Sequence, residues 1–66
     1  MTSNQTYLLE AMTSTFHAAS CLNEMAKNEK ATLDQLIYTQ TELGLALGKI
    51  MRLKDRLQGL PDPVED

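Results

Sequence analysis

One stretch decides the fold: residues 32–57 read TLDQLIYTQTELGLALGKIMRLKDRL. Its leucines recur at three- and four-residue steps, a spacing that places side chains on one side of an α-helix. Thr32 and Gln35 have the spacing of a capping box, which marks the start of a helix. Gly59 supplies a stop at the other end. The stretch therefore predicts a long helix over about residues 33–58.

A second amphipathic segment precedes this helix. Over about residues 5–27 the apolar residues again recur at three- and four-residue steps, with no proline or glycine between them. Thr2 and Gln5 have the spacing of another capping box, although Ser3 and Asn4 are equally suitable caps. A first helix over about residues 5–27 is therefore predicted.

The two helices are joined by a short polar segment, residues 28–31, which predicts a tight reversal. The fold class that follows is all-α, an antiparallel two-helix hairpin over residues 1–60 with a flexible acidic tail at 61–66. The core of the hairpin is predicted from the main apolar stripe of each helix. Its predicted residues are Leu8, Met12, Phe16, Ala19, Leu22, Leu36, Leu43, Leu47, Ile50 and Leu57.

Chain length limits the core that this hairpin can build alone. A chain of 66 residues buries only about 60% of the surface that its unfolded form exposes. The single cysteine, Cys21, excludes an intramolecular disulfide, a common means of stabilising so short a chain. We therefore expect a partner chain or dimerisation to complete the fold.

Charge and hydropathy argue against several classes of partner. Six basic and nine acidic side chains give a net charge of -3, which does not suit a surface that binds nucleic-acid phosphates. Residues 1–7 lack the pattern of a signal peptide, and no apolar run approaches the ~20 residues of a membrane span. We expect a cytoplasmic protein that binds neither nucleic acid nor membrane.

The second helix carries another apolar stripe, on the side opposite its main one. A hairpin covers only one side of each helix, so these residues predict a partner-binding surface. Two glycines within it cost helix stability and would let another backbone approach closely, unless the helix simply tolerates them. The predicted partner-binding residues are Ile37, Tyr38, Thr41, Gly44, Leu45 and Gly48.

Evidence for a metal site or for catalysis is slight. His17 and Cys21 lie one helical turn apart, but a structural zinc site needs four ligands, so we expect no metal and no cofactor. Residues 33–38 resemble the second helix of small sporulation-type aspartyl-phosphate phosphatases. The serine that this family has four residues before its aspartate is Lys30 here, with Asp34 as the aspartate. We expect no enzymatic activity.

The second helix also carries a family resemblance. Its pattern consists of Leu43, Ala46, Leu47, Gly48, Lys49, Ile50 and Leu53. This pattern resembles the second helix of the small type III secretion needle co-chaperones, which are similar in whole-chain size and also begin with Met-Thr. The resemblance implies a helical hairpin that docks on a tetratricopeptide-like (TPR-like) chaperone. Together the two would hold the needle subunit monomeric in the bacterial cytoplasm.

The resemblance and the second apolar stripe together predict a non-enzymatic co-chaperone or adaptor. It would dock on a TPR-like chaperone and help to keep a type III secretion needle subunit monomeric. In the alternative, two copies of the chain form a homodimeric four-helix bundle that acts as a regulator or inhibitor of phage or plasmid type.

Overall fold

The computed structural model describes residues 2–59, and within this range the chain forms two α-helices. Helix α1 spans Ser3–Asn28 and helix α2 spans Leu33–Leu57. The helices are packed against each other over their length, and the predicted all-α hairpin is confirmed.

The helix bounds lie close to the predicted ones. α1 begins two residues earlier than predicted, and α2 ends one residue earlier. The predicted acidic tail, residues 61–66, lies outside the described residues, as do Met1 and Leu60.

Capping boxes define the start of both helices. In α1 the amide of Gln5 donates to Thr2 Oγ1 at 3.1 Å, and the amide of Thr2 donates to Gln5 Oε1 at 2.9 Å. Thr32 and Gln35 make the same pair of bonds at the start of α2, at 3.2 and 3.1 Å. Each box satisfies two backbone groups that a helix leaves without partners, so local sequence alone fixes both starts.

The turn between the helices is closed by a residue in the left-handed conformation. Glu29 has φ 51° and ψ 34°, and its amide donates to the carbonyl of Ala26 at 3.3 Å. The amide of Lys30 donates to the carbonyl of Met25 at 3.1 Å. These bonds satisfy the last carbonyls of α1 and reverse the chain within a few residues.

Small side chains occupy the line where the two helices touch. On α1 the buried residues follow one another at steps of four and seven, which keeps them on one line along the helix. Alanine at this line lets the two backbones approach closely, because a methyl group is the whole side chain. We call this line the seam, and its buried residues are Tyr7, Ala11, Ala18, Met25, Thr39 and Ala46.

The predicted hairpin core is wrong. All ten of its residues are exposed, and the large ones have exposed fractions from 45% at Leu43 to 84% at Leu57. The physical reason is that two helices touch along only one narrow line, which the small residues of the seam fill. The ten exposed residues are Leu8, Met12, Phe16, Ala19, Leu22, Leu36, Leu43, Leu47, Ile50 and Leu57.

Candidate protein-binding surfaces

The hairpin has a polar flank on one side of the seam. Lys49 Nζ lies 3.6 Å from Glu10 Oε2, and His17 Nδ1 lies 3.3 Å from Glu42 Oε1. Glu10 and His17 lie seven residues apart on α1, so they share one face of that helix, and the same spacing separates Glu42 from Lys49 on α2. These four side chains therefore lie on the same side of the hairpin. The pairing also shows that the helices run antiparallel. Glu10, in the first half of α1, pairs with Lys49, in the second half of α2, whereas His17 and Glu42 lie nearer the turn.

The other side of the seam is mainly apolar, and the polar residues Thr15 and Gln40 lie at the same helical spacing among its large apolar residues. On each helix the seam separates the polar flank from a row of large apolar residues, as the 100° rotation per residue requires. Because the polar rows of both helices lie on one side, the two apolar rows lie together on the other. We call this surface the leucine face, and it comprises Leu8, Met12, Ala19, Leu22, Leu36, Leu43, Leu47 and Ile50.

The leucine face contains most of the residues that were predicted to form the core. Leu8, Met12 and Leu22 have exposed fractions of 57%, 64% and 47%, although each lies beside the seam. The sequence periodicity correctly identified one stripe of large apolar residues on each helix. It wrongly predicted that the two helices meet along these stripes, whereas they meet along the seam beside them. The missed signal was the spacing of Ala11, Ala18 and Met25, which follow one helical line as regularly as the leucines do.

A separate exposed surface lies on α2, away from α1 and next to the polar flank. Its large residues Ile37, Tyr38 and Leu45 have exposed fractions of 50%, 46% and 51%. Its position on the helix differs from the leucine face by well over 90° of rotation. We call this surface the glycine face, and it comprises the predicted partner-binding residues Ile37, Tyr38, Thr41, Gly44, Leu45 and Gly48, all of which are exposed.

Gly44 and Gly48 do not serve the packing of the hairpin. A Cβ atom built on either glycine meets no other atom within 4 Å. Together with Leu45, Lys49 and Arg52 the two glycines line a shallow groove on the surface of α2. The groove is open to solvent, and its floor is helix backbone.

The Thr41 hydroxyl on the glycine face already has a hydrogen-bond partner within the chain. Thr41 Oγ1 donates to the carbonyl of Ile37 at 2.9 Å. The pKa of the Tyr38 phenol is raised above its ordinary value, first by desolvation and then by the negative charge and hydrogen bonding of Glu42. Tyr38 is therefore neutral at neutral pH. A protein that covers this face would leave the Thr41 hydroxyl paired, which lowers the cost of burying it.

The cations near the end of α2 contact α1. Lys49 Nζ lies 4.9 Å from the centroid of the Tyr7 ring, and Arg56 Cζ lies 4.7 Å from it. Arg52 Nη1 donates to the hydroxyl of Tyr7 at 3.3 Å. The three cations Lys49, Arg52 and Arg56 all contact Tyr7 and so hold the two helices together at the open end of the hairpin. Their interactions are therefore made largely within the chain.

The residues considered for a metal site also contact the neighbouring helix. His17 pairs with Glu42, and Cys21 Sγ donates to the carbonyl of Gln35 at 3.6 Å. Among residues 2–59, no group of three or more histidine, cysteine, aspartate or glutamate side chains is arranged to hold a metal ion. Asp34, the candidate phosphatase residue, is exposed in the first turn of α2.

Comparison with known proteins does not assign a family. No protein-family model, curated protein or solved structure matches this chain. The helices of the described part of the chain also lack a segment long and apolar enough to cross a membrane. The two exposed apolar surfaces are therefore the features from which a function can be argued.

Proposed function

We propose that this chain is a non-enzymatic adaptor whose glycine face binds another protein. The observation that carries the proposal is that α2 contains two glycines, Gly44 and Gly48, which are not needed for the packing of α2 against α1. Each glycine costs about 1 kcal/mol relative to alanine in a helix interior. A close approach by a partner's backbone would offset that cost, because it needs the space that the missing side chains leave.

The exposed residues around the glycines fit the binding of a helix. Ile37, Gly44 and Gly48 lie at steps of seven and four along α2, so they form a row parallel to the helix axis, and Leu45 lies beside this row. A partner helix laid along this row would bury the two large side chains and contact the glycine backbone. Burial of apolar area contributes about 25 cal/mol per Å², so this contact is favourable when water is removed from it.

The resemblance of α2 to the needle co-chaperones suggests which partner to test first. We propose that the glycine face docks on a TPR-like chaperone, whose surface consists of stacked helix pairs. In that role the chain would act in the cytoplasm and help to keep a type III secretion needle subunit monomeric. Two observations support this partner. The first is the spacing of Leu43, Leu47 and Leu53, and the second is the two-helix hairpin fold, which the resemblance also implies.

Replacing the glycines by alanine tests the proposal, because the substitutions should change stability and binding in opposite directions. Open space at Gly44 and Gly48 means that Gly44→Ala and Gly48→Ala should each stabilise the chain by about 0.5–1 kcal/mol. The same methyl groups should weaken binding to a purified TPR-like needle chaperone by about tenfold or more, measured by titration calorimetry. Ser20→Ala, on an exposed part of α1, is the matched control and should leave affinity unchanged.

Two results would contradict the proposal in different ways. Alanine variants that gain stability and keep full affinity would show that α2 merely tolerates its glycines. A wild-type chain that fails to bind the chaperone would remove the co-chaperone role and leave the glycine face without its proposed partner.

A further inference from the structure

We infer that a second copy of this chain covers the leucine face, so that two hairpins form a four-helix bundle. This inference concerns a surface different from the glycine face and stands independently of the proposed partner. The bundle would leave both glycine faces on its outside, because they lie on the side of α2 away from the leucine face. The chain could then self-associate and bind a partner at the same time.

The shape of the leucine face requires a partner that is two helices wide. Its residues form one row on α1, from Leu8 to Leu22, and a second row on α2, from Leu36 to Ile50. At 1.5 Å per residue each row is about 20 Å long. A single helix laid on this face would leave part of it in water, whereas a second hairpin offers two parallel rows of the same length and composition.

The area of the leucine face is close to what a dimer needs. Its seven large side chains have exposed fractions between 45% and 64%. At roughly 100 Å² of exposed apolar surface for each, a second copy can cover about 700 Å². Each partner contributes ~800 Å² to an interface of standard size.

The charge distribution permits this face to meet a copy of itself. A two-fold interface uses the same surface patch on both subunits, so any charge in its middle meets a like charge nearby. The leucine face has no charged residue between Leu8 and Leu22 on its α1 row or between Leu36 and Ile50 on its α2 row. Lys54 follows one turn beyond Ile50, where its flexible side chain can reach solvent at the edge.

The seam alone gives little reason for a monomer to be stable. Among the described residues, no large side chain has less than 2% of its surface exposed. Three of the six buried residues of the seam are alanine, and Tyr7 and Met25 are the largest members of the set. A chain this short needs an additional source of stability, and a second copy is present wherever the chain itself is present.

Two aspartate substitutions separate the leucine face from the glycine face. Leu43 and Leu45 are exposed to 45% and 51% and lie two residues apart in the middle of α2. Leu43→Asp and Leu45→Asp therefore impose the same intrinsic cost on the helix but place the charge on different faces. The full-length proteins are compared by sedimentation equilibrium and by thermal melts followed by circular dichroism, over about 5–500 μM chain.

The wild-type chain and Leu45→Asp should both sediment at twice the chain mass of 7.4 kDa, with melting temperatures that rise with concentration. Leu43→Asp should increase the dissociation constant of the dimer by about 100-fold or more, since dimerisation would bury its charge. Leu8→Asp, on the α1 row, should act in the same way, whether the released monomers remain helical or unfold.

Three results would overturn the inference. The first is a wild-type chain that sediments as a monomer and whose melting temperature is independent of concentration. The second is a dimer that both Leu43→Asp and Leu8→Asp leave intact. The third is a dimer that is dissociated by Leu45→Asp but not by the other two substitutions. None of these results depends on a chaperone. Failure of the dimer and failure of the proposed partner are therefore distinguished, because the first is measured on the purified chain and the second on its mixture with the chaperone.

Discussion

Arg56 Nη1 donates a hydrogen bond of 2.8 Å to Asn4 Oδ1, and this bond joins the end of α2 to the first turn of α1. The same nitrogen lies 3.2 Å from Ser3 Oγ, and the guanidinium stacks on the Tyr7 ring at 4.7 Å. The turn connects the helices at the opposite end of the hairpin. Arg56 therefore closes the end where no backbone connection exists.

Arg56→Ala should destabilise the chain by about 1 kcal/mol, because it removes hydrogen bonds from a charged donor and a cation–π contact that are only partly buried. The measurement is urea denaturation at one fixed chain concentration. Lys54→Ala, in the same turn of α2 but fully on the exposed surface, is the control and should change stability by less than about 0.5 kcal/mol. Equal losses in the two variants would show that charge at the helix end, rather than the contacts of Arg56, provides the stabilisation.

Thr39 is the polar residue of the seam, with 5% of its surface exposed. Its Oγ1 atom is buried and has no hydrogen-bond partner. Thr39→Val keeps the shape of the side chain and removes the unpaired hydroxyl, so it should stabilise the chain by about 1 kcal/mol in the same denaturation experiment. Thr41→Val is the control: the Thr41 hydroxyl is exposed and bonded to the carbonyl of Ile37, so no gain is expected. A loss of stability in Thr39→Val would indicate that the hydroxyl is satisfied after all.

Glu29 holds the left-handed conformation that ends α1, with φ 51°. A side chain in this region costs roughly 1 kcal/mol that glycine avoids. Glu29→Gly should therefore raise the free energy of unfolding by about 0.5–1 kcal/mol, as measured by thermal and urea denaturation. Lys30→Gly, one residue later and without a positive φ, should give no such gain, because there glycine only adds freedom to the unfolded chain.

Local signals made the helices predictable. Thr32 and Gln35 make the expected reciprocal hydrogen bonds, and so do Thr2 and Gln5, because a capping box involves only residues that are three apart. The polar segment between the helices closes as a tight turn for a similarly local reason. The all-α hairpin follows from two helices and a short connection.

The direction in which each helix faces was not predictable in the same way. Periodicity finds a stripe of large residues, such as Leu36 and Leu43, but it does not say what covers that stripe. Assigning the largest residues to the interior assumes a self-contained monomer, and this chain places Ala18 and Ala46 there instead. The glycine-face residues are exposed, as their position on the helix predicted. Their binding to a partner remains a prediction.

Ala18 offers the most direct test of the seam, because its side chain is completely buried between the helices. Ala18→Leu inserts three carbon atoms where the backbones approach each other, and it should cost about 1–3 kcal/mol of stability, measured by urea denaturation at fixed chain concentration. Ser20→Leu, which places the same side chain on an exposed part of α1, should cost less than about 0.5 kcal/mol. If Ala18→Leu instead retained wild-type stability, the helices would have to meet along the leucines, and the core predicted from periodicity would be the true contact.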